Sequence, residues 1–126
     1  MRIEVLGAAS AAERRAIERL VRRVARAEKC RARELSVVLV GNSEIRRLNR
    51  RFLGRDRTTD VMAFPISDEL LGEVHVSRDQ ARIQARRYGV SLRSEILRLV
   101  LHGLLHLLGD THQTMRPKYG RYLESP

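Results

Sequence analysis

The feature that most constrains the fold is a helical segment near the C-terminus that is apolar on nearly every side. The pattern predicts a helix that begins after Ser91 and reaches Gly109, with leucine, isoleucine or valine on most of its faces. A helix without a polar face is stable in water only when other elements surround it. The remainder of the chain must therefore pack around this segment, which becomes the centre of the core.

The residues before this segment alternate between strand and helix patterns. Alternating or β-branched apolar residues predict four short strands, at residues 2–6, 35–40, 60–66 and 72–77. Because the last two strands are separated by only a few residues, we expect them to be antiparallel neighbours.

Cap residues and helical periodicity predict three further helices: one after each of the first two strands, and one between the last strand and the apolar segment. The first opens with a Ser10–Glu13 capping box, and its apolar stripe consists of Ile17, Leu20, Val21 and Val24. The second is capped by Asn42 or Ser43 and ends at Gly54, and the third runs from a Ser77 cap to Gly89. Alternation of this kind predicts an α/β (α+β) fold, with a single small mixed sheet of about four strands flanked by helices. With 126 residues and no internal composition break, residues 1–126 are expected to form one domain.

The charge of the chain points to a polyanionic partner. The formal net charge is +10, and nearly all of the positive charge is arginine. RNA is the commonest polyanion in a cytosol, although a solvated arginine-rich surface explains the same composition nearly as well. Aromatic residues amount to 4%, too few for a broad base-stacking platform, so phosphate contacts are expected to dominate RNA binding. No apolar run is long enough to span a membrane, and the lone Cys30 fits a reducing, cytoplasmic location.

Three of the four histidines lie within eleven positions at the end of the apolar helix. His102 and His106 are four residues apart, so they share one helix face, and a turn at Gly109 brings His112 back toward them. Unpartnered imidazoles in so apolar a helix would destabilise the protein, whereas metal ligation removes that cost. Three protein ligands leave one tetrahedral position for water, the arrangement of a catalytic zinc site. We therefore expect one Zn²⁺ per chain, although nickel, copper or iron accept the same ligands.

The spacing of these histidines is also that of a class of metalloproteases, which need a glutamate directly after the first histidine. Gly103 stands there, so a peptidase lacks its proton acceptor. Asp110 is the acidic residue nearest in sequence, but a turn-stabilising role fits it better than that of a base. Upstream on the same helix face, Glu95 and Arg98 are expected to form a solvated edge or an ion pair.

The segment His102-Gly-Leu-Leu-His-Leu-Leu-Gly109, followed by His112, resembles the signature of the YbeY-type endoribonucleases, the ribosomal RNA maturation factors of bacteria. The segments 49–65 and 71–77 are similar to two further blocks of that family, in the same order. The resemblance implies zinc on the three histidines, cleavage of single-stranded RNA, and a role in small-subunit ribosomal RNA 3′-end maturation and ribosome quality control.

The chain departs from the family pattern at three positions in or near these motifs, and Ala63, in place of a serine, is one of them. Leu53 stands where many members have an arginine, and Thr111 where the family has an aspartate. Arg55 and Arg57 are the candidates to supply the missing positive charge to RNA. Two alternatives to the nuclease stay open: a metal-containing RNA-binding ribosome-assembly factor without catalysis, and a metallopeptidase-like hydrolase.

Overall fold

The computed structural model describes residues 1–123. Its elements, in chain order, are β1 (Arg2–Gly7), α1 (Ala11–Ala27), β2 (Glu34–Val40), α2 (Asn42–Leu53), β3 (Val61–Pro65), β4 (Gly72–Ser77), α3 (Arg78–Tyr88), α4 (Leu92–Leu107) and α5 (His112–Tyr122). The predicted α+β class and the four strands are confirmed.

The four strands form one mixed sheet in the order β1-β2-β4-β3. The β1–β2 and β2–β4 pairs are parallel, whereas β3 and β4 are antiparallel, as their short separation predicted. Consequently β3 is an edge strand, and one side of its backbone has no strand partner within the described sheet.

The main core lies between one face of the sheet and the helices α1 and α4. The predicted stripe of α1 is buried, and on α4 eight residues are buried, which confirms its central position. Strand residues that alternate along β2 and β4 complete this core: Val37, Leu39, Val74 and Val76.

Helix α2 covers the opposite face of the sheet. Its Ile45 packs with Val40 and Met62 in a second, smaller cluster, against which Phe64 is partly buried. The sheet is therefore sandwiched near its β3 edge, with α4 on one face and α2 on the other. Among residues 1–123, no helix is both long and apolar enough to cross a membrane.

The helix caps follow the sequence with one exception. The Ser10 capping box is present, and the Ser77 hydroxyl caps α3. The predicted Asn42 or Ser43 cap of α2 is wrong, because Gly41 occupies that position without a side-chain cap. Tertiary contacts take over: the Asn42 N–H donates to the Asp79 carboxylate at 2.8 Å, and the Asn42 side-chain oxygen accepts from the Ser77 hydroxyl at 2.8 Å.

The C-terminal part differs most from the prediction. Helix α4 ends at Leu107 and not at Gly109, although Gly109 does adopt the positive φ of 93° that the turn requires. A further helix, α5, follows beyond the last helix that the sequence predicted. It buries only Met115 and Tyr122 and contains Pro117, so it has neither a continuous apolar stripe nor an uninterrupted helical pattern to predict it.

Candidate functional site

The three histidines of the predicted metal site are neighbours in space. His102 and His106 project from one face of α4, and His112 is the first residue of α5, directly after its Thr111 cap. The ring centroid of His102 is 6.4 Å from that of His106 and 6.3 Å from that of His112. The turn at Gly109 therefore brings the third imidazole next to the first, as the sequence suggested.

The rings do not converge on a common point in the described positions. Two imidazoles on one tetrahedral zinc, with Zn–N bonds of about 2.0 Å, have ring centroids about 5 Å apart. The observed separations are roughly 1 Å longer, and residues 1–123 contain no group of three or more histidine, cysteine, aspartate or glutamate side chains with metal-holding geometry. Rotation about the Cα–Cβ and Cβ–Cγ bonds is the movement that would bring the rings closer together.

His102 has a hydrogen-bond partner that the sequence did not reveal. Its Nδ1 lies 2.5 Å from the Tyr119 hydroxyl, which α5 brings to the site. Burial lowers the pKa of His102, with smaller effects from neighbouring groups, so the neutral imidazole is favoured. Burial also raises the pKa of Tyr119, which keeps its hydroxyl protonated. Because α5 was not predicted, no signal in the sequence pointed to Tyr119.

A groove of about 720 Å³ runs beside the histidines. It lies at the β3 edge of the sheet, between the C-terminal end of α2 and the C-terminal part of α4. His102 and His106 form part of one wall, and the rest of the lining comes from β3, the last turns of α2 and the loop 54–60: Asn49, Phe52, Leu53, Arg55, Arg57, Thr58, Thr59 and the strand residues from Val61 to Pro65.

The two arginines predicted to contact substrate both line this groove. Arg55 and Arg57 are exposed and belong to the loop between α2 and β3. The backbone of this loop is bonded to α2, because the buried Asn49 donates its side-chain N–H to the Arg57 carbonyl at 3.0 Å. Asp56, between the two arginines in sequence, is paired with Arg46 of α2 at 2.8 Å. The loop between α2 and β3 therefore presents two exposed positive charges to the groove.

Gly103 allows α4 to approach the sheet closely. A Cβ at this position would lie 2.5 Å from Val74 Cγ1 and 3.1 Å from Val74 Cγ2. Position 103 therefore faces the sheet, where a glutamate side chain has no room. The peptidase alternative loses both its base and the space for one.

Glu95 and Arg98 of α4, and Asp110 in the turn after it, are engaged in ion pairs. Arg98 donates to Glu95 through two hydrogen bonds, of 2.9 and 2.5 Å, and Glu95 is only 1% exposed. The ion-pair expectation is thus confirmed and the solvated edge is wrong, because neighbouring elements cover Glu95. Asp110 accepts from Lys118 at 2.9 Å, which fits a turn-stabilising role.

Two further residues differ in their relation to the histidine cluster: His75 is not part of it, whereas the charge of Asp60 acts on it. His75 belongs to β4 and faces the α2 side of the sheet, where it packs against Phe64, so it is separate from the three-histidine cluster. Asp60 precedes β3 and accepts from the Gln84 side chain at 3.3 Å, and its charge raises the pKa of His102 against the larger effect of burial. Sequence reasoning missed Asp60, although it lies within one of the quoted motif blocks.

A family profile described as Endoribonuclease YbeY matches residues 4–119. The chain belongs to this family. Its resemblance to the YbeY-type endoribonucleases, seen first in the histidine motif, is confirmed over nearly the whole chain. The match includes α4, the three histidines, the groove residues and Tyr119.

Individual relatives agree with the family match. The Endoribonuclease YbeY of Solibacter usitatus is 43% identical over 103 residues, covering 82% of this chain and 69% of that protein. That of a Sulfurihydrogenibium species is 44% identical over 87 residues, covering 64% of this chain but only 57% of the relative. Among solved structures, the solution structure of a Thermotoga maritima protein is 30% identical, with a TM-score of 0.74 and coverage of 97% of this chain and 87% of that one. Several family members thus extend well beyond the matched region.

Proposed function

We propose that this chain is a zinc-dependent, single-strand-specific endoribonuclease that acts in the cytoplasm on ribosomal RNA, at the 3′ end of the small-subunit RNA, and in ribosome quality control. In this proposal His102, His106 and His112 bind one Zn²⁺ per chain. The observation that carries it is the group of three neighbouring imidazoles, two of which line a groove that also contains Arg55 and Arg57. The names of the relatives supply the reaction class, and the net charge of +10 supports a polyanionic substrate.

The donor set fits a zinc ion. Imidazole nitrogen is a preferred ligand of zinc, and the two histidines on α4 have the i, i+4 spacing that lets both rings turn to one ion. Tyr119 strengthens the fit: when the Nδ1–H of His102 donates to the Tyr119 oxygen, the Nε2 lone pair is left free for a metal. Nickel, copper and iron accept the same donors, so the choice of zinc rests on its general preference for imidazole and on family resemblance.

The groove residues would bind and orient the RNA. Arg55 and Arg57 place two positive charges where phosphate oxygens of a single strand would lie, and guanidinium groups suit phosphates because they donate in pairs. A bound zinc ion would supply an activated water and a positive charge against the scissile phosphate. The charge of Asp60 favours the protonated form of the His102 ring and so opposes the effect of its burial.

The decisive experiment combines metal analysis with a cleavage assay on an RNA that contains the small-subunit 3′ end. Purified protein should contain about one zinc per chain and cleave this RNA, and the activity should disappear after chelation and return with zinc. The variant His102→Ala should lose both properties. His75→Gln is the matched control, because His75 faces the other side of the sheet and should keep both. Zinc-free protein that cleaves as fast as zinc-loaded protein would refute the proposal.

A second candidate is an RNA-binding assembly factor that holds a metal but does not cleave. One observation favours it: Leu53, an apolar residue, lines the groove at the position where many members of the family have an arginine. This alternative predicts RNA affinity that falls steeply with salt and no cleavage by the zinc-loaded protein. The cleavage assay separates the two.

A further inference from the structure

Phe52 is an unusually exposed aromatic residue for its position. It lies in the last turn of α2 and is 56% exposed, although a phenylalanine side chain is strongly stabilised by burial. The chain contains only two phenylalanines, Phe52 and Phe64, and both line the groove beside the histidines. An exposed apolar ring inside a groove is more informative than one on an open surface, because grooves are where ligands bind.

The ring of Phe52 is supported from the protein side. It makes an edge-to-face contact with Phe64, at 5.3 Å between ring centroids, and Phe64 makes the same kind of contact with His75, also at 5.3 Å. The guanidinium of Arg51 lies 5.4 Å from the centroid of the Phe52 ring. These contacts restrict the ring, so that a ligand stacking on it would pay little further entropy.

The neighbours of Phe52 select the chemistry of that ligand. Arg55 and Arg57 line the same groove, so a flat apolar surface and two phosphate-binding groups occur side by side. An unpaired nucleotide has the matching parts, a planar base and a charged phosphate. Base stacking on aromatic side chains tolerates any sequence, and a base within a duplex has its faces already covered.

We propose that Phe52 forms a nucleobase subsite, on which one unpaired base of the RNA stacks while Arg55 and Arg57 hold the adjoining phosphates. The inference rests on the proposed RNA substrate and adds to it a contact that reads single-strandedness. It also refines the expectation from composition: the chain has too few aromatic residues for a broad platform, yet one is positioned in the groove.

The test measures the affinity of metal-free protein for a short fluorescent single-stranded RNA, so that binding is observed without cleavage. Phe52→Leu should raise the Kd by about 5- to 150-fold, the range expected for one lost base stack. Phe52→Trp keeps an aromatic ring at this position and should bind the RNA at least as tightly as wild type. Tyr88→Leu is the matched control: Tyr88 is 57% exposed and also has an arginine guanidinium near its ring, but it does not line the groove. Its replacement should leave the Kd unchanged.

A strand that lacks bases distinguishes stacking from a general disturbance of the groove. Against an abasic oligonucleotide of equal length, Phe52→Leu and wild-type protein should bind equally, because no base is present to stack. An equal loss of affinity for both strands would overturn the inference, as would a Phe52→Leu variant that binds ordinary RNA like wild type. Since binding is measured without metal, a protein that binds in this way but never cleaves RNA would sink the proposed nuclease activity and leave the base subsite supported.

Discussion

Replacement of Gly103 by alanine tests the close packing that sets the position of the histidine helix. The added Cβ would lie 2.5 Å from Val74 Cγ1, whereas carbon atoms in contact prefer about 3.5–4.0 Å. An overlap of this size belongs in the upper part of the range for overpacked cores, about 2–3 kcal/mol. Alanine also stabilises a helix by about 1 kcal/mol relative to glycine. Gly103→Ala should therefore lower the free energy of unfolding by about 1–2 kcal/mol.

Gly120 provides the control, because it is also a helical glycine but has nothing within 4 Å of the added Cβ. Gly120→Ala should keep only the propensity gain and raise the free energy of unfolding by up to about 1 kcal/mol. Urea denaturation of the two variants and wild type, followed by circular dichroism, measures these differences from the transition midpoints. The two substitutions should move the midpoint in opposite directions.

If both alanine variants were more stable than wild type, the steric clash predicted at position 103 would be refuted. A second variant, Val74→Ala, removes the two carbon atoms that lie nearest to the new methyl group. In that background Gly103→Ala should cost less than in wild type, because the two atoms that clash are gone. An unchanged cost would show that the contact with Val74 is not its source.

Two further predictions concern the hydrogen bond to His102 and the response to acid. Tyr119→Phe removes the hydroxyl at His102 Nδ1 and should weaken zinc binding by about 10- to 100-fold, measured by competition with a chelator; unchanged affinity would show that the tyrosine does not orient the ligand. The hydrogen bond from Arg78 lowers the pKa of Glu13 below its usual value of 4.5, so this contribution to stability is complete above that pH and is lost as the pH falls through the folded-state pKa. Glu13→Gln should therefore be less stable than wild type by about 1–2 kcal/mol at pH 7, and the difference should shrink in acid; a gap that is constant down to pH 3 would contradict the assignment.

The sequence predicted the parts of the fold that depend on local pattern. The four strands, the buried stripe of α1 and the Gly54 stop of α2 follow from periodicity and from glycine conformation, and all are present. The Gly41 cap of α2 was missed because it depends on Asp79 and Ser77, which approach only after the chain has folded.

The candidate site was predictable to a similar extent. The proximity of the three histidines follows from helix spacing and one turn, so it could be derived without a structure. The contact of Tyr119 and the electrostatic effect of Asp60 on His102 could not, since both residues lie outside α4 and neither lies at a telling distance in sequence. The groove could not be predicted either, because it forms where α2 and α4 cover opposite faces of the sheet at the same edge.

The site draws its residues from two helices that differ in how many residues they bury. His102 and His106 belong to α4, which has eight buried residues, whereas His112 and Tyr119 belong to α5, which has two. A helix with so little buried surface detaches at a lower free energy than the core unfolds. The histidine cluster would then come apart while the sheet and its main helices stay intact, and an ion bridging the two helices would oppose that separation. In the proposed zinc enzyme, RNA cleavage would therefore depend on the docking of α5 as well as on an intact fold.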